Sequence, residues 1–262
     1  MRELFELPDG LSHSDPTRRA QIQMKRPLPK RFYTVVSVAR DDEGYSIQLD
    51  GRPVRTPAKN ALTAPTAALA DLMRAEWEAQ AEHIDPATMP VTKLVNTAID
   101  GVAADPQAVF DDILRFSSSD LLCYRADAPE ELVARQSRHW DPLIEWAATE
   151  LGARFILIEG IMPQDQPSEA TSAFAAALRK YDTPIGLACL HTATTLTGSA
   201  ILALAFAEGR LSADDAWTLA HLDEDWTDQH WGVDPEAQLR RARRQEEFEA
   251  SAAAFKSLNT RA

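Results

Sequence analysis

With 262 residues and a hydrophobic content of 45%, the chain is long enough for one large or two modest globular domains with a real core. Its formal net charge of -13 argues against nucleic acid as the main partner and against docking on an anionic membrane surface, while remaining compatible with a basic protein partner. The two cysteines, Cys123 and Cys189, sit in apolar surroundings outside any CxxC pair and read as reduced, buried thiols.

Arg2, Glu3, Glu6 and Asp9 interrupt the apolar run that a secretory signal needs, and the acids, with Asp15, disfavour an organelle transit peptide. Residues 1–29 read as a flexible tail, basic over Arg18–Arg31. A docking arm that orders on a partner is its second reading. The period then becomes two. Phe32–Val38 is rich in β-branched and aromatic residues, and Tyr45, Ile47 and Leu49 alternate with Ser46, Gln48 and Asp50. Asp50-Gly51 predicts a two-residue hairpin turn, and Arg52–Thr56 a third, Pro-containing edge strand. Three short strands need a cover, and Pro65–His83 is the candidate helix, with Leu69, Leu72, Met73, Glu76 and Trp77 near helical spacing.

Beyond Met89-Pro90 the pattern is almost wholly helical. Asp105-Pro106, Asp141-Pro142 and Asp234-Pro235 each pair an N-cap acceptor with proline at the first helical position, and Ser212 with Asp215 predicts a capping box. The expected helices are 92–103, 106–119, 129–140, 142–151, 168–181, 185–207 with a break, 213–231 and 235–258. Phe155–Ile158 reads as a short isolated strand. Thr192–Ala207, apolar nearly all round, predicts the central buried helix, with Gly198 and Ser199 allowing a neighbour close approach; its apolar run is too short to span a bilayer. The charge run from Arg240 to Glu249 reads as a solvated face with i,i+4 pairs. The expected fold class is α+β: a tail (1–29), a small antiparallel β-rich N-terminal domain with a covering helix (30–90), and a larger all-α domain (91–258).

No phosphate loop, dinucleotide fingerprint, GxSxG or HExxH is present. Thr195–Ser199 lacks the lysine and glycine spacing of a phosphate loop. His221 and Asp225, i,i+4 on one helix, could share a metal but more commonly form a surface pair. Leu222–Gly232 (LDEDWTDQHWG) is the unusual segment, placing four acids and two tryptophans in eleven residues. Drawn as part of one helix, it puts Asp223 in an apolar stripe with Trp226 and His230, and Glu224 beside His221, Asp228 and Trp231. Two readings stand: the tryptophans pack on other helices while the acids pair with arginines, or acids and tryptophan form a hot spot for a protein partner. Trp77, between Glu76 and Glu78, carries the same two readings, as a contact residue or as the seal of its helix on the sheet.

The set RFYTVVSV, GYSIQLDGRPVRTP, AEWEAQ, IDPATMPVTKLVNTAID, DLLCYRA, Trp140-Asp141-Pro142-Leu143, Thr197-Gly198-Ser199 and EDW…WG, in that order over roughly residues 30 to 258, resembles a known family. It is similar to the chaperones of mitochondria and alphaproteobacteria that assemble the catalytic head of F-type ATP synthase by holding its unassembled alpha subunit. The resemblance implies a β-rich domain followed by a helical one, no catalysis, no cofactor and no metal, and an important acid in the helix matching Leu222–Gly232. Glu224 is the first choice for that acid and Asp223 the second. The family commonly has glutamine after the position of Trp226, where this chain has Thr227, with Gln229 close by. The contact candidates are then Glu224, Asp223, Trp226, Gln229, Trp231 and Trp77. Their expected partner is the free alpha subunit, whose exposed apolar surface would be covered until the beta subunit replaces the chaperone. The chaperone would be a monomer, able to self-associate through tryptophans when no client is present. The bacterial cytoplasm is the expected location, with the mitochondrial matrix as its eukaryotic equivalent. The alternatives are a binding module for another cytoplasmic protein, and a hydrolase using Cys123 or an acidic metal site.

Overall fold

The structure, a computed structural model, describes residues 27–42, 44–160 and 164–258. Of the expected tail 1–29, residues 1–26 lie outside them. At the end of that basic stretch, Lys30 and Arg31 belong to the fold: Lys30 bridges His83, and Arg31 N donates to Glu82 O at 2.9 Å.

The described residues up to Asn96 form one compact unit and those from Thr97 a second. In the first, β1 (Val36–Asp41) pairs antiparallel with β2 (Gly44–Leu49), Val36 opposite Leu49 and Asp41 opposite Gly44. The Asp50-Gly51 turn forms as expected, with φ of 47° and 75°, and the Asp50 carboxylate accepts from the Val35 and Thr34 amides. Those two amides hold its pKa below the ordinary carboxylate value. The third strand is shorter than expected. β3 is only Arg52–Pro53: Val54 N still donates to Ile47 O, but the chain then folds back on itself, with Arg55 bridging Ala61 and Thr56 N donating to Asn60 O. β4 (Thr63–Ala64), which the sequence pattern does not reveal, pairs with the start of β2 and makes β2 the centre of a four-stranded sheet.

The covering helix is α1 (Ala67–Ala79), N-capped by Thr66 and burying Leu69, Ala70, Met73 and Trp77. Trp77 is 2% exposed, its ring lies edge-on to Tyr33 at 5.8 Å, and the Tyr33 hydroxyl donates to its carbonyl. Trp77 is therefore a core residue that seals α1 onto the sheet, which corrects its place among the contact candidates. Glu76, beside Trp77 on α1, is half-buried. Its carboxylate accepts from the Val91 and Thr92 amides, each at 2.7 Å, satisfying orphan donors at the start of α2 (Pro90–Asp100).

The second unit contains α3 (Pro106–Ser118), α4 (Glu130–Glu150), α5 (Ser168–Leu178), α6 (Pro184–Thr197), α7 (Ala200–Ala207), α8 (Ala213–Ala220), α9 (Leu222–Trp231) and α10 (Pro235–Leu258). The protein is thus α+β, a small antiparallel sheet with its helix followed by a helical region. Every residue of α7 from Ala200 to Phe206 is buried, and α3, α4, α6 and α8 pack on it. Asp105 caps α3 and the Ser212/Asp215 box caps α8, as their sequences require. Among the described residues no helix is long and apolar enough to cross a membrane.

Three expectations fail for identifiable reasons. Asp141-Pro142 does not start a helix; Pro142 lies inside the 21-residue α4, whose buried Trp140, Leu143, Trp146 and Ala147 anchor it on both sides of the proline. The Asp141 carboxylate is instead taken by Arg125, 2.7 Å away. The close approach expected at Gly198 is not what the residue serves: it holds φ at 70° as the left-handed C-cap of α6, and Ser199 then caps α7. Phe155–Ile158 is not an isolated strand. The paired strand is Ile158–Glu159, β6, which runs parallel to β5 (Tyr124–Arg125).

The buried start of α7 holds one ionisable group. Asp120, fully buried, accepts from Ser199 Oγ at 2.6 Å, Ile201 N at 2.9 Å and Leu122 N at 3.0 Å. Burial outweighs these bonds and pushes its pKa up to about 6.

Candidate functional site

The predicted helix 213–231 is two helices. His221, at φ -108° and ψ 19°, ends α8 and begins α9. Its Nδ1 donates back to Trp217 O at 2.8 Å, and its ring lies 4.0 Å from the Trp217 ring, which packs in turn against Phe248 of α10 at 5.4 Å. Stripes drawn through one continuous helix therefore do not hold. Trp217 and His221 are core, and burial keeps the His221 imidazole below its usual pKa.

The faces of α9 follow from its contacts. Asp223 faces α4, where both carboxylate oxygens accept from Gln136 Nε2 at 2.9 and 3.0 Å. Gln229 accepts from Arg135 at 2.8 Å, and His230 lies 3.9 Å from Glu131, both on α4. Asp225 turns to α10 and pairs with Arg241. Trp226 is half-buried, its ring stacked on His230 at 4.0 Å. What remains outward is Glu224, with its side chain 61% exposed, then Thr227 and, seven residues on, Trp231 at 78% exposure. Residues 224, 227 and 231 follow the helical repeat, so a carboxylate and an indole share one solvent-facing stripe. Val233 and Leu239, just beyond it in sequence, are also exposed apolar residues.

The six candidates are thus separated by the tertiary structure. Glu224 and Trp231 are open to a partner, Asp223 and Gln229 are engaged by α4, Trp226 is partly covered, and Trp77 is in the core of the other unit. Gln136 and Arg241 escape the sequence reading. A signal for Gln136 exists: with Trp140, Leu143 and Ala147 it falls on the buried stripe of α4, where a glutamine is out of place. Arg241 has no such mark. In the run Arg240–Glu249 the arginines reach outside it: Arg240 pairs with Glu236 one turn earlier, Arg241 reaches Asp225, and Arg244 donates to Leu196 O at 2.7 Å.

The other chemistries considered from sequence find no assembly here. His221 and Asp225 are committed to Trp217 O and Arg241, and no group of three or more metal-ligating side chains occurs among the described residues. Cys123 and Cys189 are buried, and burial raises both thiols, Cys189 to about 12. Under native conditions a thiol reagent is expected to label neither cysteine, and to label both after denaturation. Rapid labelling of Cys123 in the folded chain would revive thiol chemistry. The α9 surface offers contact: charge and apolar area side by side.

Known proteins share this build. The family described as ATP12 chaperone protein matches residues 30–148. The mitochondrial protein atp12 of Schizosaccharomyces pombe is 24% identical over 226 residues, covering 82% of this chain and 77% of that protein. The crystal structure of Atp12 from Paracoccus denitrificans matches with 40% identity and a TM-score of 0.82, over 87% of this chain and 98% of that one. The crystal structure of the Atu1473 protein of Agrobacterium tumefaciens matches with 64% identity and a TM-score of 0.87, over 95% of this chain and 94% of that one. The chain belongs to the ATP12 chaperone family, the ATP synthase assembly chaperones that its motifs resemble.

Proposed function

We propose that this chain holds the unassembled alpha subunit of F-type ATP synthase on the outward stripe of α9 until the beta subunit displaces it. It does so as a monomer in the bacterial cytoplasm, without catalysis or a cofactor. The observation that carries the reading is Trp231, 78% exposed on the same stripe as Glu224. A tryptophan left in water is costly to the free protein and becomes an anchor when a partner covers it. A flanking carboxylate speeds encounter and selects partners more than it adds affinity.

Glu224→Lys tests it. Glu224 is exposed, and the His221 Nε2 that lies 4.0 Å from it belongs to a buried imidazole whose pKa is lowered, so no ion pair is lost and the fold should change by no more than about 0.5 kcal/mol. Capture of purified alpha subunit, read by pull-down and by suppression of its aggregation, is expected to weaken about tenfold or more. Normal capture by a folded Glu224→Lys protein would sink the assignment.

A further inference from the structure

We infer that Gln136 of α4 is a positioning residue for the contact stripe of α9, and that Asp223 acts through it without touching the client. This rests on the reading of α9 as the contact surface. α9 is ten residues long and buries only Leu222. It has no side-chain hydrogen bond at its N-cap. Apolar packing through a single side chain cannot set the rotation of a helix about its axis, so polar ties must.

Two of those ties, Gln229 to Arg135 and His230 to Glu131, lie at the surface, where such pairs contribute little, and a third, the part-buried Asp225–Arg241 pair, holds α9 to α10 rather than to α4. The fourth is different. Gln136 is 2% exposed. Its Oε1 accepts from Ala126 N at 2.9 Å while its Nε2 donates to both oxygens of Asp223 at 2.9 and 3.0 Å. The backbone amide at one end and the carboxylate at the other leave the buried glutamine one orientation, a part-buried link between the Ala126 segment, α4 and α9. Neighbours on a helix differ by about 100°, so pinning Asp223 against α4 turns Glu224 away from it. Seven residues complete nearly two turns, which brings Trp231 out on the same side as Glu224.

A polarity exchange separates positioning from contact. Gln136→Glu sets carboxylate against carboxylate. Adding Asp223→Asn restores the bond in reverse: the new amide donates to one glutamate oxygen while the other still accepts from Ala126 N, and the pair keeps its single negative charge. Hydrogen exchange across the full chain and capture of purified alpha subunit are measured together.

Gln136→Glu is expected to accelerate exchange in α9 about tenfold, leave α6 and α7 protected, and weaken capture to a similar degree; the double variant should restore both. A double variant with a protected α9 that still fails to capture would make Asp223 itself the contact, overturning the inference. Unchanged α9 exchange in Gln136→Glu, or loss of protection throughout α6 and α7, would overturn it as well. If the wild-type chain captures no alpha subunit, the proposed function fails, while the exchange data still decide what Gln136 does.

Discussion

Trp140→Ala will lower the unfolding free energy of the full chain by about 3–5 kcal/mol, the range for deleting a fully buried aromatic side chain. Trp140 is 0% exposed in the middle of α4. Its indole Nε1 donates to Leu219 O at 3.0 Å, and the Arg125 guanidinium lies over its ring at 5.4 Å. The substitution opens a cavity, takes the indole donor from the part-buried Leu219 carbonyl near the end of α8, and removes the ring beneath a buried cation. For a chain of this size the midpoint of thermal unfolding should fall by roughly 10 °C. Leu219 lies three residues before α9, so loosening there should reach Glu224 and Trp231 as well. A loss below about 1 kcal/mol in urea unfolding would mean that α4 does not form the packed support described here.

The second large effect is a pH dependence seated at Asp120. Its carboxyl is raised from 3.8 to about 6 in the fold. Between those values the folded chain retains a proton that the unfolded chain releases, so this group favours folding fully below the window, and its contribution declines as pH rises through it. Asp120→Asn removes the titration. The stability of wild type relative to the variant is therefore expected to fall by up to about 3 kcal/mol from pH 4 to pH 7, at about 1.4 kcal/mol per pKa unit. Comparison with the variant cancels the titration of the other carboxylates. Urea midpoints of the two proteins that run parallel across this range would show that Asp120 titrates normally. The variant also carries a constant loss: its amide can accept from Ser199 Oγ and Leu122 N, but it presents a donor to Ile201 N, which Asp120 Oδ2 now satisfies.

Both predictions concern residues whose roles depend on partners distant in sequence, and the same distinction runs through the site. Local signals were readable where one stretch of chain answers its own needs. Asp50-Gly51 makes its turn because both positions need positive φ. Ser212 and Asp215 satisfy one another's backbone groups. Ala200–Phe206 is buried because it has no polar face to offer. Pro142 and His221 show where such reading stops. A proline after an aspartate reads as a helix start, yet burial of Trp140 and Leu143 on either side carries α4 through it. Nothing in LAHLDED marks a break, yet His221 leaves helical geometry while its ring packs on Trp217.

The sequence by itself determined that this is an α+β protein with an acidic, tryptophan-bearing segment, and its ordered motifs were enough to mark the ATP12 family. Composition and local periodicity carry that much, because turns, caps and apolar stripes are settled within a few residues. Only the tertiary structure decided which way each side chain of Leu222–Trp231 faces. Asp223, Glu224 and Asp225 are three adjacent acids of nearly equal chemistry. They acquire different roles because Gln136 lies 87 residues away in sequence from the first, Arg241 lies 16 residues from the last, and neither meets the one between them. The same packing leaves Trp231 in solvent and Trp226 half covered against His230.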